Sequence, residues 1–152
     1  MSDGTAEAGN ARTPRQRMTD SGEVHMPIAD LIGFHVGPGR DGKATVTLRT
    51  GPQHANPMGT LHGGILCDIA DSAMGVAFAS TLAEDESFTT VELKINYFRP
   101  VWTADLKAEG VVVRRGSTVG YVECEVTDEK GRMVAKASST CLVLRQEKAA
   151  GR

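Results

Sequence analysis

The chain has 152 residues, a length typical of one domain with an ordinary buried core and too short for an enclosed cleft between two domains. Its 17 Lys and Arg residues against 19 Asp and Glu residues give a net charge of −2, which argues against a partner such as duplex nucleic acid or an anionic membrane. The composition therefore favours small-molecule chemistry, and a deep site would need a second subunit.

The N-terminal segment, residues 1–24, contains no aromatic side chain and is rich in small and charged residues. We predict a disordered leader, because this segment cannot bury enough apolar surface to offset the entropy lost on ordering. It also lacks the apolar stretch of a secretory signal. Cys67, Cys124 and Cys141 are far apart and have no metal-ligand spacing, so we interpret them as buried thiols of a reducing compartment. The predicted location is cytoplasmic.

Three segments follow in chain order. Residues 26–34 have the apolar spacing of a short helix that stops at Gly33. Residues 44–48 alternate apolar and polar side chains, which predicts a half-buried strand. Residues 63 to about 83 have the length of a helix, about 30 Å at the usual rise per residue, and their many small side chains would let a sheet approach closely.

Alternation returns after the acidic loop at residues 84–86 and continues to the end of the chain. Strands are predicted at residues 91–97, 104–108, 122–126 and 133–144, with turns at 115–118 and 128–131. Such turns make hairpins, so the sheet is largely antiparallel. The predicted fold is an α+β domain over residues 25–147, a curved antiparallel sheet of about five to six strands wrapped around one long central helix, followed by a tail at 148–152.

The most informative motif joins a glycine-containing loop to the long helix: Asn56-Pro-Met-Gly-Thr-Leu-His62-Gly63-Gly64, with Asp71 nine residues after the histidine. The first N–H groups of a helix lack internal partners and carry the positive end of its dipole, so the two glycines are candidate donors to a carbonyl oxygen. Asp71 has apolar neighbours in the sequence, which predicts a buried carboxylate of raised basicity, a general base or nucleophile. The pattern indicates an acyl-transfer site.

Simpler structural explanations compete with these roles. The presence of Asp71 is also explained if it lies on a hydrated face of the helix together with Asp68 and Ser72. The presence of Asp68 is explained by the helix dipole alone, which favours a negative charge near the helix start. His62 is a candidate base, carbonyl donor or helix N-cap, and positioning is favoured over proton transfer. Asn56 is a candidate to donate to a carbonyl, to hold His62 or to shape the turn before a proline.

Further candidates depend on context. Thr89 or Thr90 would bring a hydroxyl to a water activated by the acid, although β-propensity alone explains both. Arg99, Arg114 and Arg115 suit phosphate contacts or are solvated surface charges. The remaining histidines show no ligand-like spacing, so no metal site is predicted; they are His25, His35 and His54.

A second motif follows the helix-start motif along the chain: Val91-x-Leu-x-Ile-x-Tyr97-x-Arg99-Pro100. With both motifs, the chain resembles the hotdog-fold acyl-CoA thioesterases of the phenylacetate-pathway (PaaI-like) group over about residues 26–146. The resemblance implies homodimers whose sheets join, frequently paired into tetramers, with active sites between subunits. It also implies hydrolysis of acyl-CoA to the free acid and CoA without a metal or cofactor. A hotdog acyl-CoA dehydratase or hydratase, and a non-catalytic acyl-CoA-binding domain, are the alternatives.

By position, the resemblance implies that the Gly63 N–H and Asn56 polarise the thioester carbonyl. Asp71 would activate water as a general base or attack directly to form an anhydride. His62 would support the loop, and Thr90 of the partner subunit would hold the water. The predicted substrate-binding residues, which would contact the acyl chain, the pantetheine arm or the phosphates, are Gly64, Leu61, Met74, Arg99, Arg114 and Arg115. The acyl cavity would be lined by Met74, Phe78 and Leu61.

Overall fold

The computed structural model describes residues 14–19 and 24–145. Its elements in chain order are α1 (Pro14–Thr19), α2 (Pro27–Ile32), β1 (Phe34–Val36), β2 (Lys43–Arg49), α3 (Gly63–Ala79), β3 (Glu86–Tyr97), β4 (Asp105–Arg115), β5 (Val119–Thr127) and β6 (Met133–Arg145). Within these residues no helix is both long and apolar enough to cross a membrane.

The six strands form one antiparallel sheet in the order β1-β2-β4-β5-β6-β3. The sheet curls around α3, so the predicted α+β architecture is confirmed. Two predicted turns make the β4–β5 and β5–β6 hairpins, and Gly131 closes the second with φ +72° and an N–H bond of 2.9 Å to the Asp128 carbonyl. Strand β3 lies at one end of the sheet, and β6 is its sole partner among the described strands.

Helix α3 supplies the centre of the core. Its fully buried residues include Ile69, Ala73 and Phe78, which are 0% exposed. The sheet approaches the helix so closely that a Cβ on Gly110 of β4 would lie 2.5 Å from the Ala73 carbonyl oxygen. Small residues on both elements allow this contact, as the composition of the helix predicts. The packing fixes the rotation of α3 and therefore which of its residues face the β3 edge.

Several boundaries differ from the predicted ones. The central helix ends at Ala79 instead of near residue 83, because the hydroxyls of Ser80 and Thr81 donate to the carbonyls three residues earlier, each at 2.7 Å. Strand β3 begins at Glu86, so Thr89 and Thr90 lie within it and not before it. The three-residue strand β1 was not predicted, since so short a segment shows no period.

Part of the leader predicted over residues 1–24 lies among the described residues. Residues 14–19 form α1, where Met18 packs against the core and its carbonyl accepts the Gly39 N–H at 3.0 Å. Val24 is 4% exposed and donates its N–H to the Val36 carbonyl. The average composition of the segment does not show that single apolar residues such as Met18 and Val24 can pack against the core. The remainder of that leader, residues 1–13 and 20–23, and the predicted tail at 148–152 lie outside the described residues.

Candidate active site

The start of α3 offers one free backbone donor. His62 is the N-cap: its Nδ1 atom accepts the Gly64 N–H at 2.9 Å, and its carbonyl accepts the Ile65 N–H at 3.1 Å. The expectation that Gly64 offers a bare donor is therefore wrong. The Gly63 N–H makes no hydrogen bond to any residue that the structure describes, and it lies at the positive end of the helix dipole. The structure gives His62 a positioning role, the one favoured from sequence.

We expect His62→Ala to lower the free energy of unfolding by about 1 kcal/mol, because the Gly64 N–H loses its acceptor. His62→Asn also places an acceptor at the N-cap and should retain most of the stability. Urea unfolding followed by circular dichroism, at matched protein concentration, measures both variants. Equal stability of His62→Ala and the unmodified protein would contradict the capping role.

The loop before the helix is shaped by Asn56. Its Oδ1 atom accepts the N–H groups of Met58 and Thr60 at 2.9 and 3.2 Å, and its Nδ2 atom donates to the Thr60 hydroxyl at 2.9 Å. The turn-forming interpretation is the one observed, and the side chain does not hold His62. The amide carries two N–H bonds, so one donor is left for a ligand.

Tyr97, at the end of β3, covers the helix start. Its hydroxyl donates to the Gly63 carbonyl at 3.1 Å and lies 3.2 Å from the Cys67 sulfur. A Cβ on Gly63 would lie 2.9 Å from the Tyr97 hydroxyl oxygen, so only glycine fits beneath the ring as it is placed. Burial, together with the adjacent Cys67 thiol, raises the pKa of Tyr97 to about 12, which keeps it a proton donor at neutral pH.

Sequence reasoning did not find this role for Tyr97. The residue appeared only as part of the β3 motif, and no local signal places it against a helix more than 30 residues away. The interpretation of the cysteines also needs one correction. Cys124 and Cys141 are buried free thiols as predicted, whereas Cys67 is free but half-buried beside Tyr97.

Asp71 lies about two turns into α3, on the same helix face as Gly63 and Cys67, since the three are spaced by four residues. Thr90 of the same chain lies close enough to the Asp71 carboxylate to lower its pKa. The contribution of Thr90 by a partner subunit, which the resemblance implies, stays a prediction. Thr89 instead points its hydroxyl toward the Thr90 carbonyl, at 3.5 Å.

A β-bulge in β3 directly follows Thr90. The pairing of β3 with β6 shifts between Thr90 and Glu92, and this leaves Val91 without a partner on β6 and 63% exposed. Bulges redirect neighbouring side chains and are frequent beside active sites. The alternation of apolar and polar residues along β3 does not indicate this bulge.

The electrostatics of Asp71 favour a base. The residue is exposed in the single chain, contrary to the predicted burial, yet the protein packed around its carboxylate raises its pKa by desolvation. The negative charge of Asp68 raises the pKa of Asp71 further, and the hydrogen bond from Thr90 opposes both effects. Desolvation also raises the pKa of Asp68. A carboxylate of raised pKa is a stronger proton acceptor than an ordinary aspartate.

The separation along α3 decides how Gly63 and Asp71 can act. Eight residues of helix place their backbones about 12 Å apart along the axis. A donor hydrogen bond, the reacting carbonyl with its attacking water, and a second hydrogen bond to the carboxylate together span about 9 Å. The separation therefore favours a donor and a carboxylate from two protomers over a pair from one chain.

The structure brings some of the other predicted residues to this region. Leu61 and Arg99 line a cleft of about 410 Å³ together with Gly63 and Tyr97. No set of three or more His, Cys, Asp or Glu side chains in the described part of the chain is grouped as metal ligands would be.

Other predicted substrate contacts lie elsewhere. The Arg115 guanidinium contacts Glu86 at 2.5 Å and stacks over Phe78, 5.4 Å from the ring centre, toward the far end of α3. Arg114 lies on β4 and pairs with β5. Met74 and Phe78 are 1% and 0% exposed, so both are core residues and not cleft lining. The sequence cannot distinguish these positions, because they depend on how the sheet packs around the helix.

A family model described as the thioesterase superfamily matches residues 58–135, and the chain belongs to this superfamily. A predicted esterase of Saccharolobus solfataricus is 38% identical over 104 residues, which cover 68% of this chain and 74% of that protein. The medium/long-chain acyl-CoA thioesterase YigI of Escherichia coli K12 is 25% identical over 149 residues, 86% of this chain and 96% of that protein.

Among solved structures, a mutant of the phenylacetic acid degradation protein PaaI of Thermus thermophilus is similar with a TM-score of 0.71. It is 28% identical, and the match covers 77% of this chain and 98% of that one. The fold is the hotdog fold, with the antiparallel sheet curled around α3. The resemblance inferred from the sequence is confirmed at the level of the hotdog-fold thioesterase superfamily.

Proposed function

We propose that the protein is an acyl-CoA thioesterase of the PaaI-like group, which hydrolyses an aryl- or medium-chain acyl-CoA to the free acid and CoA. The observation that carries the proposal is that one helix face presents both a free helix-start donor, the Gly63 N–H, and, two turns away, a carboxylate of raised pKa, Asp71. These are the two groups that thioester hydrolysis requires. The free thiols support a reducing, cytoplasmic location.

A homodimer would complete the site. Strand β3 has one edge without a partner among the described strands, and an exposed edge of this length favours pairing with another chain. Tyr97 contacts Gly63 and Thr90 contacts Asp71, so β3 runs antiparallel to α3. Pairing of two β3 edges about a two-fold axis would set the two helices antiparallel. Gly63 of one protomer then approaches the helical turn that contains Asp71 in the other protomer. Two such dimers would form a tetramer.

In this site the Gly63 N–H and the free Asn56 amide N–H donate to the thioester carbonyl oxygen. Asp71 of the opposite protomer accepts a proton from water as that water attacks the carbonyl carbon. The helix dipole stabilises the oxyanion that forms, and the intermediate then expels CoA as its thiolate, which takes the proton from Asp71. In the alternative route Asp71 attacks directly and water hydrolyses the resulting anhydride.

The pH dependence of turnover tests Asp71 as the base. Its pKa should set the acidic limb of the kcat/KM profile. Because the charge of Asp68 raises this pKa, Asp68→Asn should move the limb to lower pH; because the Thr90 hydroxyl lowers it, Thr90→Val should move the limb to higher pH. Initial rates across the acidic range measure both variants. If the acidic limbs of both variants coincide with that of the unmodified enzyme, the assignment of Asp71 as the base is contradicted.

Release of CoA from a substrate panel tests the activity itself. Arylacetyl-, benzoyl- and straight-chain acyl-CoA substrates should be compared by chromatography of the products, because half-buried Cys67 would react with thiol reagents. We expect release of CoA and free acid from at least one class. A product in which the acyl chain has changed while the thioester to CoA remains intact would instead identify a dehydratase or hydratase. Binding of the substrates without turnover of any of them would identify a binding domain.

A further inference from the structure

The loop between β3 and β4 presents two large aromatic side chains to solvent. Trp102 is 65% exposed and Phe98 55% exposed. The loop is nevertheless well anchored: the Phe98 N–H donates to the Val134 carbonyl at 2.8 Å, and the Val101 carbonyl accepts the Leu61 N–H at 2.6 Å. Aromatic side chains held in water on a fixed backbone indicate a contact surface.

This loop connects two clefts. The cleft at Gly63, of about 410 Å³, is adjacent to a second cleft of about 380 Å³ that includes Trp102. The four consecutive residues 98–101 line both clefts. An extended ligand whose reactive end lies at the helix start can therefore follow the loop to the indole ring.

The charges of the second cleft leave one cation for an anionic ligand. Arg132 is bound to Asp128 at 2.7 Å, and the Glu129 carboxylate accepts the Asp105 N–H at 3.2 Å. The Arg99 guanidinium, which lies in both clefts, makes no ion pair or hydrogen bond to any residue in the described ranges. Guanidinium groups of this kind suit phosphate oxygens.

We propose that the β3–β4 loop binds the nucleotide end of the CoA substrate, with the adenine ring stacked on Trp102 and a phosphate on Arg99. The inference rests on the proposed function, and it assigns residues to a part of the substrate remote from the reacting ester. An unpaired cation beside two exposed rings matches a planar base that carries phosphates. A purely apolar partner would leave Arg99 buried without a counter-charge.

Fluorescence gives a direct test, because Trp102 is the only tryptophan of the chain. Adenosine 3′,5′-bisphosphate and CoA should quench its emission saturably, whereas pantetheine, which lacks the nucleotide, should not. Arg99→Gln should weaken the binding of the bisphosphate about tenfold. Absence of quenching by the nucleotide would overturn the proposal. A spectral change that follows protein concentration without ligand would also overturn it, since a second copy of the chain would then cover the ring.

Kinetics with a truncated substrate give the second test. Trp102→Ala should raise KM for acyl-CoA about 5- to 30-fold with little change in kcat, and should leave the KM for the matching acyl-pantetheine unchanged. Trp102→Phe retains an aromatic face and should recover most of the affinity. Leu31→Ala is the control, because Leu31 is 81% exposed and lies in neither cleft.

The outcomes separate this inference from the proposed function. If Trp102→Ala changes both substrates equally, or neither, the nucleotide site is refuted while hydrolysis stands. If no thioester is hydrolysed but the nucleotide quenches Trp102, the thioesterase proposal fails while the nucleotide site stands.

Discussion

Asp71→Asn is expected to lower kcat by at least about 10²-fold with little change in affinity for the product CoA. A positioned base contributes about 10²- to 10⁴-fold to turnover, and the amide cannot accept the proton from water. Initial rates with the best acyl-CoA substrate measure kcat, and calorimetry with CoA measures the affinity. Asp71→Ala should accompany the first variant, because an Asn followed by Ser72 can revert to Asp by deamidation.

Asp68→Asn is the matched control for this change. It removes the same charge one helical turn away, and we expect kcat within about tenfold of the unmodified enzyme, because Asp68 makes no hydrogen bond to any of the residues that the structure describes. A folded Asp71→Ala protein with unchanged kcat would refute the catalytic assignment of Asp71.

Gly63→Pro is expected to lower kcat by about 10²- to 10³-fold relative to Gly63→Ala. Proline removes the N–H that the proposal aims at the oxyanion, and loss of one such donor typically costs this much. The first helical position tolerates proline, and His62 already has the extended backbone, φ −65° and ψ 131°, that a residue before proline requires. The comparison therefore removes the donor with little disturbance of the helix.

The alanine variant isolates the donor. Both substitutions add a Cβ that meets the Tyr97 hydroxyl at 2.9 Å, and this exposed side chain can move aside in either protein. Only the proline variant lacks the N–H. Equal kcat values for the two variants, with equal helix content, would show that the Gly63 N–H does not bind the reacting carbonyl.

The sequence identified the residues of the helix start because their chemistry is local. A loop that ends in His62-Gly63-Gly64 predicts a helix N-terminus wherever the helix packs, and Asp71 follows at a fixed rise. Even here the sequence did not show that the His62 ring uses the Gly64 N–H, since that depends on one side-chain rotamer.

The contacts of β3 with α3 could not be predicted in the same way. Thr90 lies beside Asp71 at a point where a bulge interrupts the pairing of β3 with β6, and Tyr97 covers Gly63 where the sheet curls around the helix. The predicted burial of Asp71 failed for a related reason. Its neighbours in sequence are apolar, but the residue lies on the side of α3 that the single chain leaves open. Arg115 likewise contacts Glu86, a partner 29 residues away.

The central claim is that one site takes Gly63 from one protomer and Asp71 from the other, and mixed dimers test it most directly. Gly63→Pro and Asp71→Ala chains carrying different affinity tags should be co-expressed, and dimers that contain one of each should be isolated by sequential purification. Each pure variant should be nearly inactive. The mixed dimer should recover about half the kcat of the unmodified dimer, because one of its two sites has both intact groups. A mixed dimer as inactive as its parents would place both groups of each site on one chain and contradict the account.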